Sequence, residues 1–292
     1  KLIAGSVSSR QAIKINVTQT GNICLSVFAK ASEYDVIQLT DAFNGTYFVN
    51  FNLANGTIGS STGITGSIEN YGNGWYRCKG VYTSSSLINS YRISIAQNST
   101  DGRLLNFAGN GVNGLYIWGA QSETGSYATS YIPTSGSTVT RNQDEFTRNN
   151  LASLINSTEG VLFVEMAALS DDNTDKRISI SDGTLNNYVL IGFSRFTGNI
   201  NREIVAGGVI QHSGFGATGV TQTNNNKFAL SWGGGAIKFY INGSLINSTT
   251  LNTPPTGLNS LKFSAGNNTL TFFGKVKQLQ VYKTALTDNQ LM

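Results

Sequence analysis

Residues Phe228–Leu245 read FALSWGGGAIKFYINGSL. FALSW has the composition of a strand, Gly233–Gly235 form a glycine-rich bend, and Ile237, Phe239 and Ile241 recur at the two-residue period of a half-buried strand. Asn242-Gly243 then supplies two residues that readily take the left-handed conformation a tight hairpin needs. Strand, bend, strand and turn follow one another with no 3.6-residue period between them.

The same pattern runs outward in both directions. Ile13, Ile15 and Val17 alternate in IKINV, as do Tyr47, Val49, Phe51 and Leu53 in YFVNFNL, and Tyr91, Ile93 and Ile95 in YRISIA. VLFVEM from Val161 and YVLIGF from Tyr188 continue it. Asn44-Gly45, Asn55-Gly56, Asn73-Gly74, Asp101-Gly102 and Asp182-Gly183 punctuate these runs and predict hairpins. Many short antiparallel strands without helical segments mean paired sheets rather than an α/β domain. At 292 residues the chain is long enough for two cores. Apolar periodicity lapses between Pro133 and Asn150, so the join is expected near Arg148, giving domains 1–148 and 149–292.

Composition narrows the function classes. Charged residues are 12% of the chain, the net charge is +4 and Lys/Arg runs are missing, so nucleic acid is not an expected partner. No apolar stretch approaches the roughly 18 residues of a membrane-spanning helix, so membrane insertion is not expected. The chain starts at Lys1 without signal-peptide architecture and ends at Leu291-Met292, as expected of a segment of a longer protein. Cys24 and Cys78 both stand in apolar strand-like runs, and a single disulfide and two buried thiols fit equally. With two cysteines and one histidine, His212, no tetrahedral zinc site can be assembled from Cys and His in the usual ratios.

FNLANGTIG (Phe51–Gly59), SIENYGNGWYRC (Ser67–Cys78) and GLYIWGAQSETGSYATSYIPTSGSTVTR (Gly114–Arg141) resemble a carbohydrate-binding-module-like jelly roll that recurs in bacteriophage virion proteins and marine bacterial surface proteins. The resemblance covers nearly all of residues 1–141, with one departure at Ser122, where an apolar residue usually precedes the acidic position held here by Glu123. FALSWGGGAIKFYINGSL and GKVKQLQVYKTALTDNQ (Gly274–Gln290) make the second half resemble the laminin-G-like, concanavalin-A-like lectin group. In the latter motif Thr287 is expected to cap a short turn at Asp288–Leu291.

Together the resemblances imply an all-β chain of two tandem antiparallel β-sandwiches, a jelly roll followed by a concanavalin-A/laminin-G-like lectin domain. They imply a non-catalytic glycan-binding or structural adhesion module of a virion fibre or decoration protein, displayed on a virion or outside the cell. Its expected partners are a polysaccharide or cell-surface glycan, other virion proteins, and further copies of itself in a homo-oligomer. Two rivals are a polysaccharide-binding region of a secreted bacterial enzyme or adhesin, and a structural spacer.

Within the resemblance, Trp75, Tyr76, Tyr116 and Trp118 fall in strand motifs whose large aromatics plug the core. Loop rings are therefore the expected sugar-stacking candidates: Tyr34, Phe43, Tyr71, Tyr127 and Tyr131. In the second half, Arg195, Phe196, Arg202, His212 and Phe215 gather around glycines, joining guanidinium donors to stacking planes as an acidic glycan would require. A solvated hairpin rim is the plainer account of the same residues. In SDDNTDKR (Ser170–Arg177), Asp171, Asn173 and Asp175 alternate as hard-cation ligands do, and lectin-like sandwiches hold calcium on rim-loop carboxylates. The run lacks the glycine and distal glutamate of a helical calcium loop, and a solvated turn is its default reading. No other cofactor is expected.

Catalysis finds little to work with. Retaining hydrolysis needs two carboxyl groups about 5 Å apart, and no E-x-D-x-E run supplies them. Glu165 stands alone in VLFVEMAAL and reads as a strand-end or edge charge. His212 is the single histidine open to a lyase base or a triad. GSSTG (Gly59–Gly63) matches a nucleophile-elbow string, but reads as a loop with no helix after it. The chain is expected not to be an enzyme.

Overall fold

The computed structural model describes residues 1–41, 45–142, 144–214, 216 and 218–291, with Asn89 described by its backbone alone. They form two compact units, Lys1–Thr140 and Arg141–Met292.

The first unit contains β1 (Leu2–Ile3), β2 (Ser9–Arg10), β3 (Ala12–Lys30), β4 (Val36–Asp41), β5 (Phe48–Asn52), β6 (Thr57–Thr62), β7 (Thr65–Asn70), β8 (Trp75–Ala96), β9 (Asn106–Phe107) and β10 (Gly114–Thr124). The main antiparallel path is β1-β10-β3-β8-β4-β5-β6, with β7 also on β8. Two long strands serve both layers. The ladder between β3 and β8 slips register between Asn16 and Gly21, where Gly21 has φ 80°. Beyond that point β8 exchanges its neighbour β4 for β7. Apolar residues at alternate positions, among them Leu25, Val27, Leu39, Val49, Phe51 and Ile93, close the core. Glycine sets the spacing: a Cβ on Gly80 would stand 2.7 Å from Ile64 Cγ2.

The second unit contains β11 (Thr147–Arg148), β12 (Gly160–Ala168), β13 (Lys176–Ser181), β14 (Tyr188–Phe193), β15 (Ile200–Ala206), β16 (Val209–Gly214), β17 (Asn226–Gly233), β18 (Ala236–Ile241), β19 (Ser244–Thr250), β20 (Ser260–Lys262), β21 (Gly274–Tyr282) and α1 (Asp288–Leu291). One sheet runs β11-β20-β13-β14-β15-β16 and the other β19-β18-β17-β12-β21. Leu162, Val164, Ile178, Ile191, Ile204, Phe228, Trp232 and Phe239 fill the core between them. In the fold-deciding stretch, β17 and β18 pair antiparallel. Asn242 (φ 49°) and Gly243 (φ 82°) then make the left-handed hairpin turn into β19. Thr287 precedes α1, and its backbone N–H donates to Gln290 Oε1 at 3.0 Å, the reciprocal half of a capping box.

Several local expectations need correction. The join lies earlier than Arg148, because Phe146 already accepts a hydrogen bond from Phe263 N and Thr147–Arg148 pair with β20. Asp101-Gly102 makes no hairpin; Asp101 Oδ2 instead accepts from the N–H groups of Gln97 and Asn98. Asn44 lies outside the described residues. GSSTG is mostly strand β6 rather than loop. Glu165 is buried within β12, flanked by β17 and β21, with Lys277 Nζ 2.8 Å from its carboxylate. Cys24 and Cys78 are buried free thiols. Cys24 lies opposite Val81 and Cys78 opposite Val27 in one ladder, a parity that turns them to opposite faces of the sheet.

Candidate functional site

The outer face of the β10–β3–β8 layer gathers aromatic rings. Ring planes of Trp118 and Phe28 lie 11° apart with centroids at 4.2 Å. Tyr71 meets Phe28 edge-on at 5.0 Å and Tyr131 meets Trp118 edge-on at 5.4 Å. Phe28 is buried beneath this group, while Trp118 stays 47% and Tyr71 53% exposed. Tyr116, next outward-facing residue along β10, is also exposed, with Lys1 Nζ 5.8 Å from its ring.

Both the expectation that Trp118 and Tyr116 plug the core and its reason fail here. In β10 the buried partners are Leu115 and, in part, Ile117, so the large rings take the other parity. A bulge between Trp118 and Gln121 then switches parity, with Gly119 at φ 60°. A Cβ on Gly119 would stand 2.9 Å from Phe28 Cδ2. Because of the bulge, Tyr116, Trp118, Gln121 and Glu123 share the outer face, opposite Lys30, Phe28, Ser26 and Cys24. Trp75 and Tyr76 are half-buried, Tyr76 against the core.

Polar groups brace the platform. Arg77 is buried with its Cζ 5.2 Å from the Phe28 ring, and its Nη2 donates to Ser26 Oγ and Thr129 O. Glu123 accepts from Thr129 N and Oγ1, and Gln121 Oε1 accepts from Ile132 N. These bonds bring the chain after β10 back across the face and set Tyr131 against Trp118. Ser122, the departure from the resemblance, donates to Gln19 Oε1. Lys79 Nζ and Glu69 Oε1 pair at 2.6 Å on adjoining strands.

Other candidate rings divide. Tyr71 and Tyr131 are exposed members of this platform. Tyr34 is half-buried against the core, its ring 5.8 Å from Phe107, so it is not the open loop ring that was expected. Tyr127 is half-buried. Phe43 and Phe215 lie outside the described residues.

In the second unit the expected group separates into two pairs. Arg195 and Phe196 are exposed in the loop between β14 and β15, with Arg195 Cζ 5.1 Å from the Phe196 ring. Arg202 on β15 and His212 on β16 are half-buried. Burial pushes His212 below its ordinary pKa, helped by the charge of Arg202 and opposed by Glu203.

The acidic run does not form an ion cage in the structure. Asp171 is exposed, and Asn173 takes a left-handed φ of 58°. Asp175 Oδ1 accepts from Arg195 N and Asn201 Nδ2. The neighbouring Asp172 is the carboxylate that matters locally, because the buried Lys176 ammonium sits 2.5 Å from it. Among the described residues no three His, Cys, Asp or Glu side chains are grouped to hold a metal.

The fold is that of an all-β protein built from antiparallel sheets in two units. Residues 163–292 match the family model of the Concanavalin A-like lectin/glucanases superfamily. No curated protein matches the chain. Among solved structures, it is similar to the Ruminococcus gnavus IT-sialidase CBM40 at 18% identity and TM-score 0.41, over 48% of this chain and 84% of that one. It is similar to a leech intramolecular trans-sialidase at 17% identity and TM-score 0.43, over 50% and 25% of the two chains. A Limulus polyphemus SAP-like pentraxin is similar at 14% identity and TM-score 0.37, over 46% and 68%.

Proposed function

We propose that the chain is a non-catalytic carbohydrate-binding module whose main contact is the Trp118 face of the first unit. The observation that carries this reading is an indole stacked on Phe28 yet 47% exposed, with Tyr71 and Tyr131 at its margins. A sugar presents an apolar C–H face and a rim of hydroxyls. It therefore needs a rigid aromatic plane beside fixed hydrogen-bonding groups, because each hydroxyl exchanges water for protein at small net gain. The lack of an E-x-D-x-E run in the sequence and the Lys277 bond to Glu165 support binding without cleavage. On the sequence resemblance, we place the module on a virion surface, where it contacts host polysaccharide alongside other virion proteins and further copies of itself. A secreted bacterial adhesin or enzyme would use the same face.

Affinity electrophoresis of the full chain in laminarin and alginate, with glycan-array binding beside it, tests the assignment. Trp118→Ala is expected to weaken binding roughly tenfold or more while destabilising by about 1 kcal/mol, the scale of one aromatic pair. Unchanged binding in Trp118→Ala, or no glycan bound by the parent chain, overturns it. The same polysaccharides should gain no new reducing ends or unsaturated uronates.

A further inference from the structure

The second unit buries several polar atoms without satisfying them. In the β15–β16 ladder Arg202 lies opposite Gly214 and His212 opposite Ile204, which is fully buried, so both side chains share the core-facing side of that sheet. Across the sandwich, the Phe239 ring of β18 lies 4.9 Å from Arg202 Cζ. Asn247 of β19 stands opposite Phe239. Gly214 closes the other side of the guanidinium: a Cβ there would stand 2.7 Å from Cζ. Arg202 Nε and Nη1, His212 Nε2 and Asn247 Oδ1 are all buried, and none has a hydrogen-bond partner among the described residues.

Guanidinium N–H groups that are buried without acceptors are costly, and an anion would satisfy them. Nε and Nη1 each belong to one of the two-donor edges that a guanidinium offers a carboxylate. The orphaned acceptor narrows the choice. A bare anion offers nothing to Asn247 Oδ1, whereas a hydroxy acid gives carboxylate oxygens to Arg202 and a hydroxyl hydrogen to the amide oxygen. We propose that this edge of the second sandwich binds a carboxylated sugar of the uronate class, its carboxylate on Arg202 and its hydroxyls on His212 and Asn247. The inference rests on the carbohydrate-binding reading but uses a different unit and different residues from the Trp118 face.

His212 is the sole histidine, so its imidazole proton signal reports on the site directly. The full chain is titrated with D-glucuronate at constant ionic strength, with D-glucose and acetate as controls. Glucuronate should shift the signal saturably and raise the pKa of His212, because the bound carboxylate offsets Arg202. Glucose should do neither, and acetate should bind at least about tenfold more weakly. Arg202→Gln should abolish the response, and Gly214→Ala, which crowds the guanidinium without removing it, should do the same if Arg202→Gln fails to fold. Trp118→Ala should leave it intact, so failure of the first-unit reading and failure of this one are separable. A silent His212, an equal response to acetate, retention in both site variants, or loss in Trp118→Ala overturns the proposal.

Discussion

Lys176 is fully buried with its ammonium against Asp172 Oδ1, and Thr174 supplies two further oxygens. Burial pushes Asp172 up, but hydrogen bonds from Lys176, Thr174 and Ser170 outweigh it and hold the carboxyl below its usual range. Removing one partner of such a pair strands the other charge, so Asp172→Ala should destabilise by about 3–5 kcal/mol. Asp171→Ala, at an exposed position, should stay within about 0.5 kcal/mol, and calcium or a chelator should leave both melts unmoved. A calcium site on Asp171, Asn173 and Asp175 would reverse that ranking. The cysteines allow a second test: burial pushes Cys24 up to about 12 and raises Cys78 further, and the sheet lies between them. A disulfide reagent should find no reactive thiol in the native chain and two after unfolding, and reductant should leave the melting temperature unchanged. Sequence could place the two cysteines in strands, yet it could not say which carboxylate of SDDNTDKR would meet Lys176, because that depends on how the loop closes. Trp118 was missed for a related reason. In LYIW every residue is apolar or aromatic, so alternation has no visible phase, and only the Gly119-Ala120 pair hints at the bulge that resets it.

The strands were legible because their chemistry is local. IKFYI and YVLIGF need only period two, and Asn242-Gly243 needs only tolerance of positive φ. What sequence hid is how elements meet. β3 and β8 each read as two strands, and their passage between layers becomes plain only from the register slip at Asn16–Gly21. Gly80 lies inside β8, and its missing side chain sets the approach of the facing layer, with Ile64 Cγ2 at 2.7 Å and Val49 Cγ1 at 3.3 Å from the place of a Cβ. Gly80→Val should therefore overpack this core and cost about 1–3 kcal/mol, against a gain expected from β-propensity alone. Chemical denaturation that finds Gly80→Val as stable as the parent would mean that the layers have room to part.

At the scale of the chain, a lapse of apolar periodicity marked the join, but composition could not see that Phe146–Arg148 complete the second unit by backbone pairing. The exposed run from Pro133 to Thr140 should be the first site of limited proteolysis, releasing two stable fragments. Acid should distinguish those units. Between about pH 7.5 and 5.5 histidine is the one side chain that ordinarily titrates, and the single histidine lies in the second unit. Burial and Arg202 hold His212 below its ordinary 6.5 in the fold. The unfolded chain therefore takes up a proton in this window that the folded chain refuses, so stability present above pH 6.5 is lost as pH falls through it. Melts of the two fragments should show the second, but not the first, falling between pH 7.5 and 5.5, and His212→Phe should remove the fall. Added glucuronate should reduce it as well, since a carboxylate beside Arg202 lets the folded state accept the same proton. Equal acid sensitivity in both fragments would place the responsible group elsewhere.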